Sequence, residues 1–373
     1  MKETIEKLYN EWRSIQPIDE TLQKRMDRQF MIDFNYNSNH LEGNTLTYGQ
    51  TKLLLLFGDT IGNASMQDYE EMKAHNVGFQ QMKIEALDKN RPLSESFIRE
   101  LNRIILVRDY YKTSHDGSYR YKIHVGTYKT RPNSVITPIG EIFDYASPEE
   151  TPSMMADLVR WYNDEERKGK LSVTELAALF HYRYIRIHPF EDGNGRIARL
   201  IMNYIFYRHG YPMIVVRTED RKNYLKALQQ SDSLTGQISF DGANATLVQA
   251  KPLIDYIANI VENKLTTVLK WANGDISDLI KAENVVEKGA DNQMQSATKT
   301  KDAAKNVVEK MSEKRRKIIL QFIRENNVIS ANEIAKILSV NPRTIQRDIE
   351  KLKNDGIVER IGGDRGGYWK ITN

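Results

Sequence analysis

Between His188 and Arg199 the chain reads His188-Pro189-Phe190-Glu191-Asp192-Gly193-Asn194-Gly195-Arg196-Ile197-Ala198-Arg199. A base, a carboxylate, a small-residue turn and two cations fall in one short stretch. A histidine titrating near neutral pH suits removal of a proton from a hydroxyl. Asp192 offers a hard oxygen ligand to Mg²⁺, which takes only one or two carboxylates and keeps several waters. Gly193, Asn194 and Gly195 let the backbone fold so that successive N–H groups point inward. The turn leads into a helix N-terminus, so nest and helix dipole both favour an anion there. Arg196 and Arg199, three apart on the first helical turn, can both face that anion. In-line attack at phosphorus asks a protein mainly for positioning and charge stabilisation. Each part alone is weak, since Asp-Gly-Asn-Gly by itself is usually a turn. Their convergence on one loop carries the reading.

The surrounding elements are mostly helical. Ser172-Val173-Thr174-Glu175 is a capping box that opens a helix from Leu176 to Ile187, and Pro189 keeps His188 just past its end. The next helix begins near Arg196 and closes at His209-Gly210. Upstream, 1–36 reads as helical with a break at Pro17. A helix over 28–42 stops at Gly43-Asn44 and puts Ser38 and Glu42 on one face. Thr47-Tyr48-Gly49-Gln50 is a further capping box. Helical patterns cover Asp68 to Leu87, Ser94 to Val107, a stretch through Trp161, Tyr224 to Asp232, and Pro252 to Trp271. One β-like segment interrupts them. β-branched and aromatic residues around Arg131-Pro132-Asn133 predict a small hairpin at about 123–137, the only strand-like stretch before the C-terminus.

Composition bounds the reading. Hydrophobic residues make up 40% of the 373, enough for a core. The absence of cysteine excludes disulfides and thiolate chemistry. No apolar run of transmembrane length appears, and Met1-Lys2-Glu3-Thr4-Ile5-Glu6 lacks a signal core, so a cytoplasmic protein without a membrane partner is expected. The net charge is +4, yet residues 312–373 carry 13 Lys or Arg against 8 Asp or Glu, so the basic excess lies in that tail.

The tail also has a pattern of its own. An amphipathic helix from Glu313, a capping box at Ser330-Ala331-Asn332-Glu333, an Asn341-Pro342 helix start and a strand–turn–strand over 357–371 describe a winged helix-turn-helix. The helix from Asn341 to Lys353 carries Arg343, Thr344, Gln346, Arg347 and Lys351, types suited to base edges and phosphates, and Arg365 lies at the wing tip. DNA is the expected partner, with a protein-docking role as the competing reading. Residues 272–311 read as a polar helical linker.

The central stretch resembles the signature of the Fic (Fido) family, with every fixed position filled, and the resemblance covers roughly 94–245. With the segment readings above it gives a mainly α architecture: an N-terminal helical region over 1–93 with an inhibitory helix at about 28–44, a Fic-type domain with a hairpin flap over 94–245, a closing helix and linker over 246–311, and the winged domain over 312–373. Most Fic proteins transfer AMP from ATP to a Ser, Thr or Tyr hydroxyl of a protein. On that pattern His188 is the general base, Phe190 anchors the loop, Asp192 holds Mg²⁺, and Gly193, Asn194, Gly195, Arg196 and Arg199 bind phosphates. Val125, Gly126, Thr127 and Tyr128 match flap positions beside the nucleotide. Tyr224 matches an adenine contact. Leu225 stands where a second Tyr is common, and Asp232 where some relatives have Asn, so base specificity stays open. Ser38-Asn39-His40-Leu41-Glu42-Gly43 resembles the family's inhibitory motif, which implies that Glu42 pairs with Arg199 in the place of the γ-phosphate. Implied partners are ATP, a target protein (itself included), DNA and, as in many relatives, a second copy of the chain. Two alternatives stand beside AMP transfer: a DNA-binding regulator that senses nucleotide, and an enzyme acting mainly in AMP removal.

Overall fold

The computed structural model describes the chain apart from residues 1, 61–63, 115–116, 137–141, 239–242, 283–300, 339, 341, 363–366 and 373. In chain order the helices are α1 (Lys2–Ser14), α2 (Glu20–His40), α3 (Tyr48–Phe57), α4 (Met66–Leu87) and α5 (Glu95–Leu106). Four short strands follow: β1 (Tyr110–Thr113), β2 (Arg120–Ile123), β3 (Ser134–Ile136) and β4 (Ile142–Asp144). Helices resume with α6 (Thr151–Lys168), α7 (Val173–Ile187), α8 (Asn194–Arg208), α9 (Arg221–Thr235) and α10 (Lys251–Ala272). The C-terminal part holds α11 (Lys301–Glu325), α12 (Ala331–Leu338), α13 (Pro342–Asn354), β5 (Val358–Ile361) and β6 (Tyr368–Ile371). The mainly α class read from the sequence holds.

The described chain divides into two compact units. One gathers 1–16, 33–46 and 64–273; the other gathers 17–32, 47–63 and 274–373.

In the first unit α7 and α8 form the centre. Phe180, Tyr182, Tyr184, Leu200, Ile201, Tyr204, Ile205 and Phe206 are fully buried there. Neighbours cover these two helices on nearly every side, so their polar residues Arg186, Arg196, Arg199 and Asn203 are buried as well. The capping box expected at Ser172 is present in both directions and fixes the start of α7. The segment after α5 departs from the sequence reading. Two antiparallel hairpins stand where one was expected, β1 with β2 and β3 with β4. The first pairs Tyr110 with Ile123 and Thr113 with Arg120; the second pairs Ser134 with Asp144. Residues 124–133, placed inside a single hairpin by the sequence reading, form the connection between the two. The strand signal in β1 and β2 was hidden because each mixes Tyr or Ile with Lys, Arg or Thr, so neither forms an apolar run. Both strands are only partly buried, which tolerates that mixture.

In the second unit Ile319, Ile323, Ile329, Ile334, Ile345, Ile349, Leu352 and Val358 form a core of their own. β5 and β6 pair antiparallel, and the Trp369 indole donates to the Ile329 carbonyl at 2.9 Å. One ion pair is buried within this core. Asp348 on α13 accepts from Arg315 Nε on α11 and from Ser312 Oγ at 2.8 Å, and its side chain is 6% exposed. Breaking a buried pair strands a charge, which typically costs about 3–5 kcal/mol. Asp348→Ala is therefore expected to destabilise the second unit by about that much, read as an earlier chemical-unfolding transition. An unchanged midpoint would show the pair to be dispensable.

Candidate active site

His188 sits at the C-terminal end of α7 in a left-handed conformation, φ 51° and ψ 60°. Few non-glycine residues adopt it, and the cost is about 1–3 kcal/mol. Pro189 forbids continuation of the helix, and the His188 N–H still donates to the Tyr184 carbonyl at 2.9 Å. The half-buried ring stacks on Tyr145, with centroids 4.1 Å apart and planes at 14°. Burial lowers the imidazole pKa to about 4, helped by the Lys129 charge and opposed by the Ile185 carbonyl, Glu42 and Asp192. The ring is therefore neutral at pH 7.

The loop after His188 is braced from within. The Phe190 N–H donates to Asn194 Oδ1 at 3.0 Å, and Asn194 Nδ2 returns a bond to the Phe190 carbonyl at 2.7 Å. Phe190 is 1% exposed and packs on Tyr128. Gly193 supplies φ +80°, open to glycine at little cost, and caps α8. Arg196 and Arg199 are both buried on the first turns of α8.

Arg199 meets the residues singled out near Glu42. Its Nε donates to Ser38 Oγ at 3.0 Å, and Nη2 donates to the Ser38 carbonyl at 2.8 Å and to Glu42 Oε1 at 2.7 Å. Ser38 lies in the last turn of α2, and Glu42 lies just past its end. Sequence reading placed this helix at 28–42; it begins earlier and ends at His40, with Glu42 in the following turn. The Glu42 carboxylate covers the start of α8, since a methyl group at Gly195 would fall 2.1 Å from its Oε1. Burial would raise the Glu42 pKa, but Arg199 and Arg196 outweigh it and hold the carboxyl below its ordinary value. A negative group thus occupies the anion position that the turn and the arginines create.

Asp192 is held by residues the sequence reading did not single out. The Tyr110 hydroxyl donates to it, and Lys112 Nζ lies 2.5 Å away, both on β1. Burial works upward on the Asp192 pKa, yet Lys112, Tyr110 and Arg196 hold it below its ordinary value. Asn102 is a second missed residue. Its Nδ2 donates to the Asp192 carbonyl at 3.0 Å, and its Oδ1 accepts from the Gly126 N–H at 2.8 Å, so it joins two loops. Tyr110 and Lys112 carried no usable signal because the first hairpin itself was not foreseen.

The remaining candidates are spread out. In the connection after β2, Val125 donates its N–H to Asp109 and Thr127 bonds to the His124 carbonyl. The Tyr128 hydroxyl is tied to Glu95 at 2.7 Å. Tyr224 is 5% exposed, with its hydroxyl on His181 Nε2 at 2.8 Å, while Leu225 is exposed. Asp232 accepts from the Tyr182 hydroxyl at 2.9 Å and lies 3.4 Å from Arg186. A cavity of about 700 Å³ opens at the opposite end of α7, lined by Ser172, Glu175, Tyr9, Tyr211 and Lys251, and includes none of these residues. On α13, Arg343, Gln346, Arg347 and Lys351 are exposed and Thr344 is half-buried. Arg365 falls outside the described residues.

Comparison with known proteins follows the same lines. A profile described as the Fic/DOC family matches residues 92–206, and an HTH domain profile matches 314–369. The chain is 59% identical to a solved Fic domain-containing signaling protein from Bacteroides thetaiotaomicron, with TM-score 0.68, covering 73% of this chain and 97% of that one. The chain belongs to the Fic family. Among curated relatives of this Fic protein, protein adenylyltransferase fic-1 of Caenorhabditis briggsae is 28% identical over 74% of the chain. A solved Fic-1 fragment from C. elegans is 27% identical with TM-score 0.55, covering 72% of this chain and 70% of that one. The Fic protein spans about half the length of the curated relatives it matches, 49% for the first. Among the described residues no helix is long and apolar enough to cross a membrane.

Proposed function

We propose that this Fic protein is a protein adenylyltransferase that moves AMP from Mg-ATP to a Ser, Thr or Tyr hydroxyl, and that Glu42 restrains it. The observation that carries the reading is the loop at 188–199, where a neutral histidine stands beside an anion position already filled by a carboxylate. His188 takes the proton of the acceptor hydroxyl, the hydroxyl oxygen attacks the α-phosphorus, and pyrophosphate leaves. Arg196, Arg199 and the N-terminus of α8 hold the phosphates. The curated relatives named adenylyltransferases support this class of reaction.

A metal fits the donor set. Asp192 is a single ionised carboxylate, and among the described residues no cluster of three His, Asp or Glu could cage an ion. Mg²⁺ matches that, since it relies on water and substrate phosphates for its other ligands. Lys112 Nζ already sets a positive charge against this carboxylate. Bound at Asp192, Mg²⁺ would neutralise phosphate charge. The test is incubation of the purified protein and a host lysate with ATP labelled at the α-phosphate; label on protein supports transfer. Label that appears and is then lost would favour net AMP removal.

A second reading concerns the winged domain. Arg343, Gln346, Arg347 and Lys351 face solvent on one helix, and this favours DNA binding over a purely structural role. Phosphate-driven binding weakens steeply with salt. Affinity for duplex DNA is expected to fall on the order of tenfold or more between 50 and 200 mM salt, measured by gel shift. No shift even at the lower salt would make this a protein-docking module.

A further inference from the structure

Lys129 is buried beside His188 and the transfer reaction as described leaves it without a role. It is 3% exposed and lies in the connection between β2 and β3. Its Nζ donates to the Ile187 carbonyl at 3.0 Å and to Asn133 Oδ1 at 2.7 Å. Its backbone N–H donates to the Pro189 carbonyl at 2.8 Å. Asn133 in turn donates to the Phe190 carbonyl at 3.2 Å. One lysine and its asparagine thus hold the residues on both sides of His188. No carboxylate lies within ion-pair distance of the ammonium among the described residues, although burying an unpaired charge is costly. A neutral side chain could fill the same space without that cost. The charge itself is the feature to explain.

Two effects follow from it. A cation at a helix C-terminus is favoured by the free carbonyls there, and Ile187 ends α7. The same cation, held on the carbonyl next to His188, also opposes a positive charge on the His188 ring. The other groups around the imidazole are Glu42 from the turn after α2, Asp192 from its own loop, and the stacked Tyr145 after β4. Both carboxylates favour the protonated ring, and both are engaged by Arg199, Lys112 and Arg196.

We propose that Lys129 is a positioning residue for His188: its buried ammonium fixes the backbone on either side of the ring and keeps a proton off it, so that the imidazole is free to accept one from the substrate hydroxyl. The inference rests on the reading of His188 as the base. It assigns to the connection after β2 a part in preparing the base, separate from any contact it makes with nucleotide or target.

The test follows the His188 ring resonances by NMR across pH in the wild type and in Lys129→Met. The expected result is a His188 titration displaced upward, by about tenfold in proton affinity, with Lys129→Arg close to wild type. Lys129→Gln serves as a second neutral variant should the first not fold. In parallel, the acid limb of the transfer rate moves to higher pH in the neutral variant, through kcat rather than the KM for ATP. An unchanged His188 titration in a folded neutral variant overturns the proposal, and so does an equal displacement in Lys129→Arg. His188→Ala separates the two readings. Transfer that survives this change removes the base role, whatever the titration of His188 shows in the Lys129 variants.

Discussion

His188→Ala is expected to abolish AMP transfer while leaving the fold intact. A positioned general base contributes roughly 10²–10⁴-fold to a proton-transfer step. The ring stacks on Tyr145, whose own pKa burial pushes up to about 12. That phenol is protonated at neutral pH and cannot substitute as a base. The sign of the pH dependence is also set. Burial first, then Lys129, brings the His188 pKa to about 4, so the base is ready throughout the neutral range and transfer is lost only as pH falls towards that value. Initial rates of label transfer against pH, for wild type and His188→Ala, check both statements. A variant that keeps more than a small fraction of the wild-type rate, with unaltered thermal unfolding, would assign the proton to another acceptor.

Glu42→Gly is expected to raise transfer. The carboxylate is bonded to Arg199 and lies over Gly195, so it fills the position where an anionic substrate group would be held. Removing it frees one N–H of Arg199 Nη2 while Ser38 continues to hold Nε and the other N–H of Nη2, which keeps the guanidinium in place to receive a phosphate. Regulatory couplings within proteins are typically worth about 5–150-fold, and a gain of that order is expected. The direction of the Glu42 pKa adds a condition. Arg199 and Arg196 keep the carboxyl ionised well into mild acid, so lowering the pH to 6 should not release the enzyme in the way the substitution does. Equal labelling by wild type and Glu42→Gly would leave the contact with Arg199 as a purely structural cap on α2.

The two residues differ in how visible they were. His188 could be found because its surroundings are local: a proline after it, a glycine turn and two arginines within reach along the chain. Such a loop keeps its geometry wherever the fold puts it, since its bonds run between near neighbours such as Phe190 and Asn194. Ser38 and Glu42 were visible only through family resemblance, because their partner Arg199 is more than 150 positions away. The segment after α5 was harder still. Its strands mix tyrosines with lysines and arginines, and half-burial tolerates that mixture, so hydrophobic pattern could not separate two hairpins from one.

The amino-acid sequence by itself determined the mainly helical class, the winged domain with its basic helix, the place of His188 just past the end of α7 and the glycine turn that opens α8. These follow from capping, turn chemistry and apolar spacing, which act over a few residues. Only the tertiary structure decided that Tyr110 and Lys112 hold Asp192, that Asn102 joins the Asp192 loop to Gly126, and that Lys129 is buried with its ammonium on the Ile187 carbonyl and Asn133. Those contacts depend on how hairpins and helices distant in sequence pack against one loop. Burial then fixes the protonation of His188, and burial is a property of the packed chain rather than of the residues that surround the histidine in sequence.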